Sequence, residues 1–275
     1  MGLRGDGLSV NEREMVMLDY RESATHVFGH EKLIVYKKGL QFVISIFALN
    51  EGISRKVIAC GHLSRAADSI PINIAHASNT TSPGERISYL GHANGSALEC
   101  AACLDVLAAK SILPVENASS SKHLLADIVS MLISMQKHNS TRISEAHAEY
   151  RTKNGNLFSH EDLLVYQTGL QLVAWLETLM KATVASRTDL LASLDKTTTS
   201  IVLNIAEGNG RFSGLDHARF LDIAYKATVR SASLLDLLET YCQYDLSAGY
   251  TFLRRIAAML VSLSRHQKIS SKPPP

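Results

Sequence analysis

The sequence predicts an all-α protein: two tandem up-and-down four-helix bundles with an extra N-terminal helix. Three observations carry that prediction. The stretch R-A-A-D-S-I-P-I-N-I-A (Arg65–Ala75) returns as K-T-T-T-S-I-V-L-N-I-A (Lys196–Ala206), with Ser, Ile, Asn, Ile and Ala in register. Upstream, H-E-K-L-I-V-Y-K-K-G-L-Q from His30 is matched by H-E-D-L-L-V-Y-Q-T-G-L-Q from His160. The offset is 130 residues there and 131 at the first pair, so a whole domain has been copied end to end. Finally, apolar residues recur at helical spacing in both copies, and no segment shows the alternation of a strand. The expected layout is an N-terminal extension (1–29), repeat 1 (30–140), a linker (141–158), repeat 2 (159–268) and a disordered tail (269–275).

Taken in order, Val10 to Thr25 can form a lead-in helix with Met15, Val16 and Leu18 on its apolar side, and Arg142–Tyr150 is a weaker counterpart. The first helix of each repeat follows His30 or His160. Leu33, Tyr36, Leu40, Val43 and Phe47 make one stripe, read as core. Val35, Phe42, Ile46 and Leu49 make a second, repeated as Val165, Leu172, Leu176 and Leu179. A helix apolar on two sides must be covered on two sides. The second stripe is therefore the candidate interface to the sister repeat or to another subunit.

Each second helix carries the echoed stretch, with Leu63, Ala67, Ile70, Ile74 and Ala77 on one face and Leu190, Leu194, Ile201 and Ile205 as their twins. Pro71 removes an amide donor and should kink the first copy; Val202 replaces it in the second. Gly208 and Gly210 suit a helix stop. The third helices carry Leu90, Ala93, Ala97, Ala101, Leu104 and Leu107 in one repeat and Phe220, Ala224, Ala227, Ser231, Leu234, Leu238 and Tyr241 in the other. The first of these stripes is rich in small residues, which permits close helix approach. Fourth helices are expected after Ser119–Ser121 and after Ser247, and Asn154-Gly155-Asn156 reads as the link between domains. Four amphipathic helices joined by short loops give an up-and-down bundle.

Composition sets outer bounds. A net charge of +2 over 275 residues gives no whole-protein field to attract nucleic acid or membrane. The first 150 residues hold 14 basic and 15 acidic side chains, the rest 14 and 11, so the second half is mildly basic. The four cysteines, Cys60, Cys100, Cys103 and Cys242, do not fall at matching repeat positions, which argues against a disulfide framework. No signal pattern opens the chain. No apolar run approaches the roughly 20 residues of a membrane span. A cytoplasmic protein without membrane contact is expected.

Aligned positions exchange charge between copies. Arg65, His76 and Glu99 in repeat 1 face Lys196, Glu207 and Arg230 in repeat 2. The expected structural ion pairs are Arg65–Glu99 and Glu207–Arg230, each tying the second helix to the third. Arg219, Lys226 and Arg230 fall on one side of a helix. With Arg211, Arg254 and Arg255 they are a candidate nucleic-acid patch, although only Phe212 and Tyr225 lie near for base stacking. Cys100-x-x-Cys103 has no second ligand pair at zinc spacing and reads as core. Glu-x-x-His pairs and a phosphate-binding Gly-rich loop are both missing from the sequence. No catalytic, metal or cofactor set is therefore assigned.

The motifs R-A-A-x-S-I-P-x-N-I-A (Arg65–Ala75), A-x-G-S-x-x-E (Ala93–Glu99), N-I-A-E-G-x-G-R (Asn204–Arg211) and F-L-x-I-A (Phe220–Ala224) resemble a family of small four-helix bundles. It includes proteins encoded in intervening sequences of 23S rRNA genes and the accessory variability determinant of diversity-generating retroelements. The resemblance covers about residues 30–138 and 160–266. It implies assembly, known in the family as cyclic pentamers, and scaffolding or partnership with nucleic acid or reverse transcriptase rather than catalysis. Each copy departs from the pattern: His76-Ala77-Ser78-Asn79 stands where the family has E-G-x-G, and Lys226, Ala227 and Arg230 stand for G, S and E. A fused pair fits an odd ring poorly. A pseudo-symmetric unit or an even ring of domains is expected instead. The leading expectation is a non-enzymatic scaffold or adaptor that self-associates; the alternative is an RNA-binding or reverse-transcriptase accessory protein using the basic flank of repeat 2. A metal- or small-ligand-binding bundle ranks third.

Overall fold

The structure is a computed structural model that describes residues 28–54, 57–139, 155–182, 188–241 and 244–270. It is all-helical over those residues, with two bundles of four helices in tandem. Repeat 1 comprises α1 (Ile34–Glu51), α2 (Ile58–Asn79), α3 (Pro83–Ala109) and α4 (Val115–Asn139). Repeat 2 comprises α5 (Leu164–Ala182), α6 (Thr188–Asn209), α7 (Gly214–Tyr241) and α8 (Ser247–Ser270). Within each repeat consecutive helices pack side by side and the fourth closes back on the first, the up-and-down arrangement. The expected N-terminal helix and its counterpart at 142–150 lie outside the described residues.

Local signals account for the helix starts. A short 3-10 turn precedes each first helix, Gly29–Lys32 and Ser159–Asp162. In both, the glutamate of the repeated His-Glu pair reaches back: the Phe28 and Phe158 N–H groups donate to Glu31 Oε2 and Glu161 Oε2 at 3.2 Å. The echo at positions 30–31 and 160–161 is thus a capping device. Ser82 caps α3, accepting from Glu85 N–H at 3.4 Å, with Pro83 in the first turn. Asp245 accepts the Ser247 N–H at 2.9 Å at the start of α8. Pro114 precedes α4, which starts at Val115, so Ser119–Ser121 lie inside the helix rather than ahead of it. α8 runs to Ser270, past the expected boundary.

The echoed Ser and Asn form the same clip in both copies. Asn73 Nδ2 donates to Ser69 O at 2.8 Å and Ser69 Oγ at 2.9 Å. Asn204 Nδ2 donates to Ser200 O at 2.7 Å and Ser200 Oγ at 3.1 Å. Despite Pro71, α2 continues unbroken to Asn79. Pro71 is buried where α2 crosses Gly39 of α1, whose missing side chain brings Pro71 carbons to 3.6 Å of a built Cβ. Gly169 and Val202 make the same crossing in repeat 2, at 3.0 Å.

The first helices correct the expected assignment of stripes. Val35, Phe42 and Ile46 are buried within bundle 1, and Val165, Leu172 and Leu176 within bundle 2. Leu49 and Leu179 are partly buried against the same core. These residues face their own bundle, not a sister or a subunit. The stripe read as core is the one that faces outward. In repeat 2 it is covered, with Tyr166 and Val173 buried; in repeat 1 Tyr36 and Val43 are only partly buried and Phe47 is exposed. Phe158, placed in the linker by sequence, is fully buried and stacks on His160 at 5.7 Å.

Candidate functional site: the seam between repeats and the open groove of repeat 2

The repeats meet through α3 of repeat 1, which lies across α6 and α5 of repeat 2. α3 can be buried nearly all round because its outer face is built from small residues. Gly95 Cα lies 3.0 Å, and a Leu98 methyl 2.9 Å, from where a Cβ on Gly210 would sit. Asn94 Nδ2 donates to Gly210 O at 2.7 Å. A side chain at Gly210 would push the helices apart, so we expect Gly210→Val to cost about 1–3 kcal/mol by overpacking. A denaturant melt of the variant checks this.

Polar groups pin the other end of the seam. Lys110, which caps the C-terminus of α3, pairs with Asp195 of α6, both buried. The Tyr166 hydroxyl donates to Asp105 Oδ2 at 2.8 Å. Lys122 of α4 bonds Asp105 Oδ1 at 2.7 Å and pairs with Glu161. Burial opposes the charge on Lys122, but the two carboxylates outweigh it and hold its pKa above the usual lysine value. His160 beside them is fully buried, and burial, with the Lys122 charge, pushes its pKa down to about 3. Asp105, His160 and Glu161 place ligand atoms within 4.8 Å of one another, but the Lys122 ammonium already serves as their cation.

The contact is head-to-tail. Each repeat has an acceptor face on its first and second helices and a donor face on its third, and only one of each is used. On the used acceptor, Asp195, Thr199, Leu203, Ala206 and Gly210 are buried; their counterparts Ser64, Asp68, Ile72 and Asn79 are exposed, and Ala75 half-buried. Leu203 is 2% exposed and Ile72 54%. On the used donor Leu98 and Val106 are fully buried, whereas their counterparts Val229 and Leu237 on α7 are 50% and 46% exposed. Among the described residues, repeat 1 thus ends in an unoccupied acceptor and repeat 2 in an unoccupied donor.

A groove between second and third helix occurs in both repeats. In repeat 1 it is lined by Arg65, Ser69, Asn73, Ser96 and Glu99, and the end of α6 of repeat 2 and the turn after it insert Glu207 and Arg211 over it. In repeat 2 the corresponding groove, about 390 Å³, is lined by Lys196, Thr197, Ser200, Lys226 and Arg230 among others.

The expected ion pairs form differently. Glu99 Oε1 meets His62 Nδ1 at 3.2 Å rather than Arg65, which lines the same groove. Glu207 pairs with Arg211, four residues on and just past the end of α6, not with Arg230. The reason is the seam: Glu207 reaches into the groove of repeat 1, while Arg230 lines that of repeat 2. Burial, then the charge of Glu99, raises the Glu207 pKa against the opposing pull of Arg211.

The six candidate nucleic-acid residues do not form one patch. Arg211 is drawn into the seam, over the Phe220 ring at 4.7 Å. Lys226 and Arg230 line the open groove, and Arg219 is exposed about two turns earlier on α7. Arg254 and Arg255 are exposed on α8, Arg254 over the Tyr250 ring at 5.8 Å. Sequence reasoning missed Lys196 for the groove and Lys122, Lys110 and Asp195 for the seam. Cys100 and Cys103 are core residues, their thiol pKa values driven well up by burial.

A family model, the 23S rRNA-intervening sequence protein, matches residues 31–134 and again 161–261. The chain belongs to that family. No curated protein and no solved structure matches it. Each match spans one bundle, so the seam joins two 23S rRNA-intervening sequence protein units within a single chain. No helix among the described residues is long and apolar enough to cross a membrane.

Proposed function

We propose that this protein is a non-enzymatic helical scaffold that self-associates, the empty acceptor face of one copy taking the empty donor face of the next. The observation that carries this reading is the sister comparison: the same surface that is buried as Leu203 in repeat 2 is left exposed as Ile72 in repeat 1. Exposed apolar residues on both faces, Ile72 on one and Val229 and Leu237 on the other, add to it. One donor and one acceptor per chain make the contact heterologous, so whole chains join head to tail and every closed ring holds an even number of bundles.

The outer contact would not copy the inner one everywhere. Lys226 and Asn79 stand where Gly95 and Gly210 touch, so that end must open while the Val229–Tyr241 end closes. Light-scattering mass in solution tests the reading. The expected result is a multiple of the chain mass that falls to the monomer for Ile72→Asp and for Val229→Asp alike. A monomeric parent, or an assembly indifferent to both changes, would remove the support.

A further inference from the structure

We propose that the open groove between α6 and α7 is a binding site for a phosphate-type oxyanion. The sister groove is filled: in repeat 1 it receives the paired Glu207 and Arg211 side chains from the neighbouring bundle. Among the described residues the groove of repeat 2 has no such occupant, and its charge has changed to match an anion. Repeat 1 sets Arg65 against Glu99; repeat 2 sets Lys196 beside Arg230 and adds Lys226 in place of Gly95. The cleft goes from balanced to three positive charges. Among the described residues Lys196 and Arg230 have no hydrogen-bond or ion-pair partner. Lys226 is bonded to Asp222, in a pair that is exposed on both sides and so weakly held.

Hydroxyl groups complete the lining. Ser69 Oγ meets Ser96 Oγ at 2.8 Å in repeat 1. In repeat 2 the place of Ser96 is taken by Ala227, so Ser200 keeps its hydroxyl proton for a ligand while accepting from Asn204. A second copy docked as the repeats dock would bring His76 and Thr80 over this groove in place of Glu207 and Arg211, and hence no carboxylate. Neither the described residues of the chain nor a copy docked in that way supplies the anion. Clustered Lys and Arg with hydroxyl donors suit a phosphate group, whose several oxygens each accept a charge-assisted bond.

The full chain is titrated calorimetrically with pyrophosphate, and by fluorescence anisotropy with a short labelled single-stranded RNA. Both are repeated for Lys196→Gln, Arg230→Gln and, as a control outside the groove, Arg254→Gln/Arg255→Gln. The expected result is saturable pyrophosphate binding that weakens about tenfold for each groove cation removed and is unmoved by the control. If RNA binds as well, competes with pyrophosphate and loses salt dependence in the groove variants, the phosphate belongs to a polynucleotide. If pyrophosphate alone binds, the ligand is a small phosphate. Absence of binding by either probe overturns the proposal, as does binding equally sensitive to groove and control changes. Circular dichroism confirms that each variant is folded. The site lies on one chain, so this result and the solution mass can fail independently.

Discussion

Replacing Lys122 by Met is expected to cost about 3–5 kcal/mol at neutral pH, the largest loss for any single change at the seam. Lys122 sits between Asp105 of its own repeat and Glu161 of the other, with all three side chains largely buried. Taking the ammonium out leaves two carboxylates close together, out of water and without a counter-charge. The isosteric methionine keeps the packing, so the loss is electrostatic. Its pH dependence distinguishes it from a cavity. Lys122 holds its proton more tightly folded than unfolded, so the stability it contributes is fully present below the ordinary lysine value of 10.5 and is lost as pH rises through its raised folded pKa. Urea melts at neutral and at strongly alkaline pH should therefore show a smaller gap from the parent at the higher one. A gap that is constant with pH would assign the loss to packing instead.

His160 supplies the second large effect, and its sign is opposite. Its folded pKa is depressed to about 3, below the ordinary 6.5. The stability that goes with a neutral imidazole is present above pH 6.5 and is lost as pH falls towards 3. One proton is at stake, so the slope is about 1.4 kcal/mol per pH unit across that window. The facing groups are Lys122, Asp105, Glu161 and Tyr166. Neither ring nitrogen has a hydrogen-bond partner among the described residues. The sister residue shows why: His30 Nδ1 has Asn79 at 3.1 Å, and in repeat 2 the place of Asn79 belongs to Gly210, which the seam needs empty. Closing the seam stranded the histidine. His160→Phe keeps an aromatic ring beside Phe158 and Tyr166. It should leave stability at pH 7 unchanged or higher and remove most of that acid slope. A variant as acid-sensitive as the parent would place the titration elsewhere.

Much of the architecture was legible because the chain states it twice. The repeated His-Glu pair, the Ser and Asn clip and the helical stripes all describe one bundle, and a bundle satisfies its own rules locally. The choice between two stripes on α1 was not legible. Adjacent residues such as Val35 and Tyr36 lie only about 100° apart on a helix, and both stripes are apolar. Which one faces the bundle depends on where α2 and α4 lie. The ion pairs failed for a related reason: spacing along helices gives the face of Glu207 but not that its face belongs to the other repeat. A signal for the seam was available in the aligned copies. Gly95 against Lys226, Gly210 against Asn79 and Asp195 against Ser64 are small or paired residues on the side that closes and bulky or uncharged ones on the side that stays open.

The central claim, that one face of each kind is left empty, is tested most directly by mixing two half-disabled chains. Ile72→Asp removes the acceptor and Val229→Asp the donor, and each variant alone should be monomeric by light scattering. Mixed in equal amounts they retain one intact face of each kind, so the account predicts a dimer that goes no further. A mixture that stays monomeric, or one that assembles beyond the dimer, would contradict it.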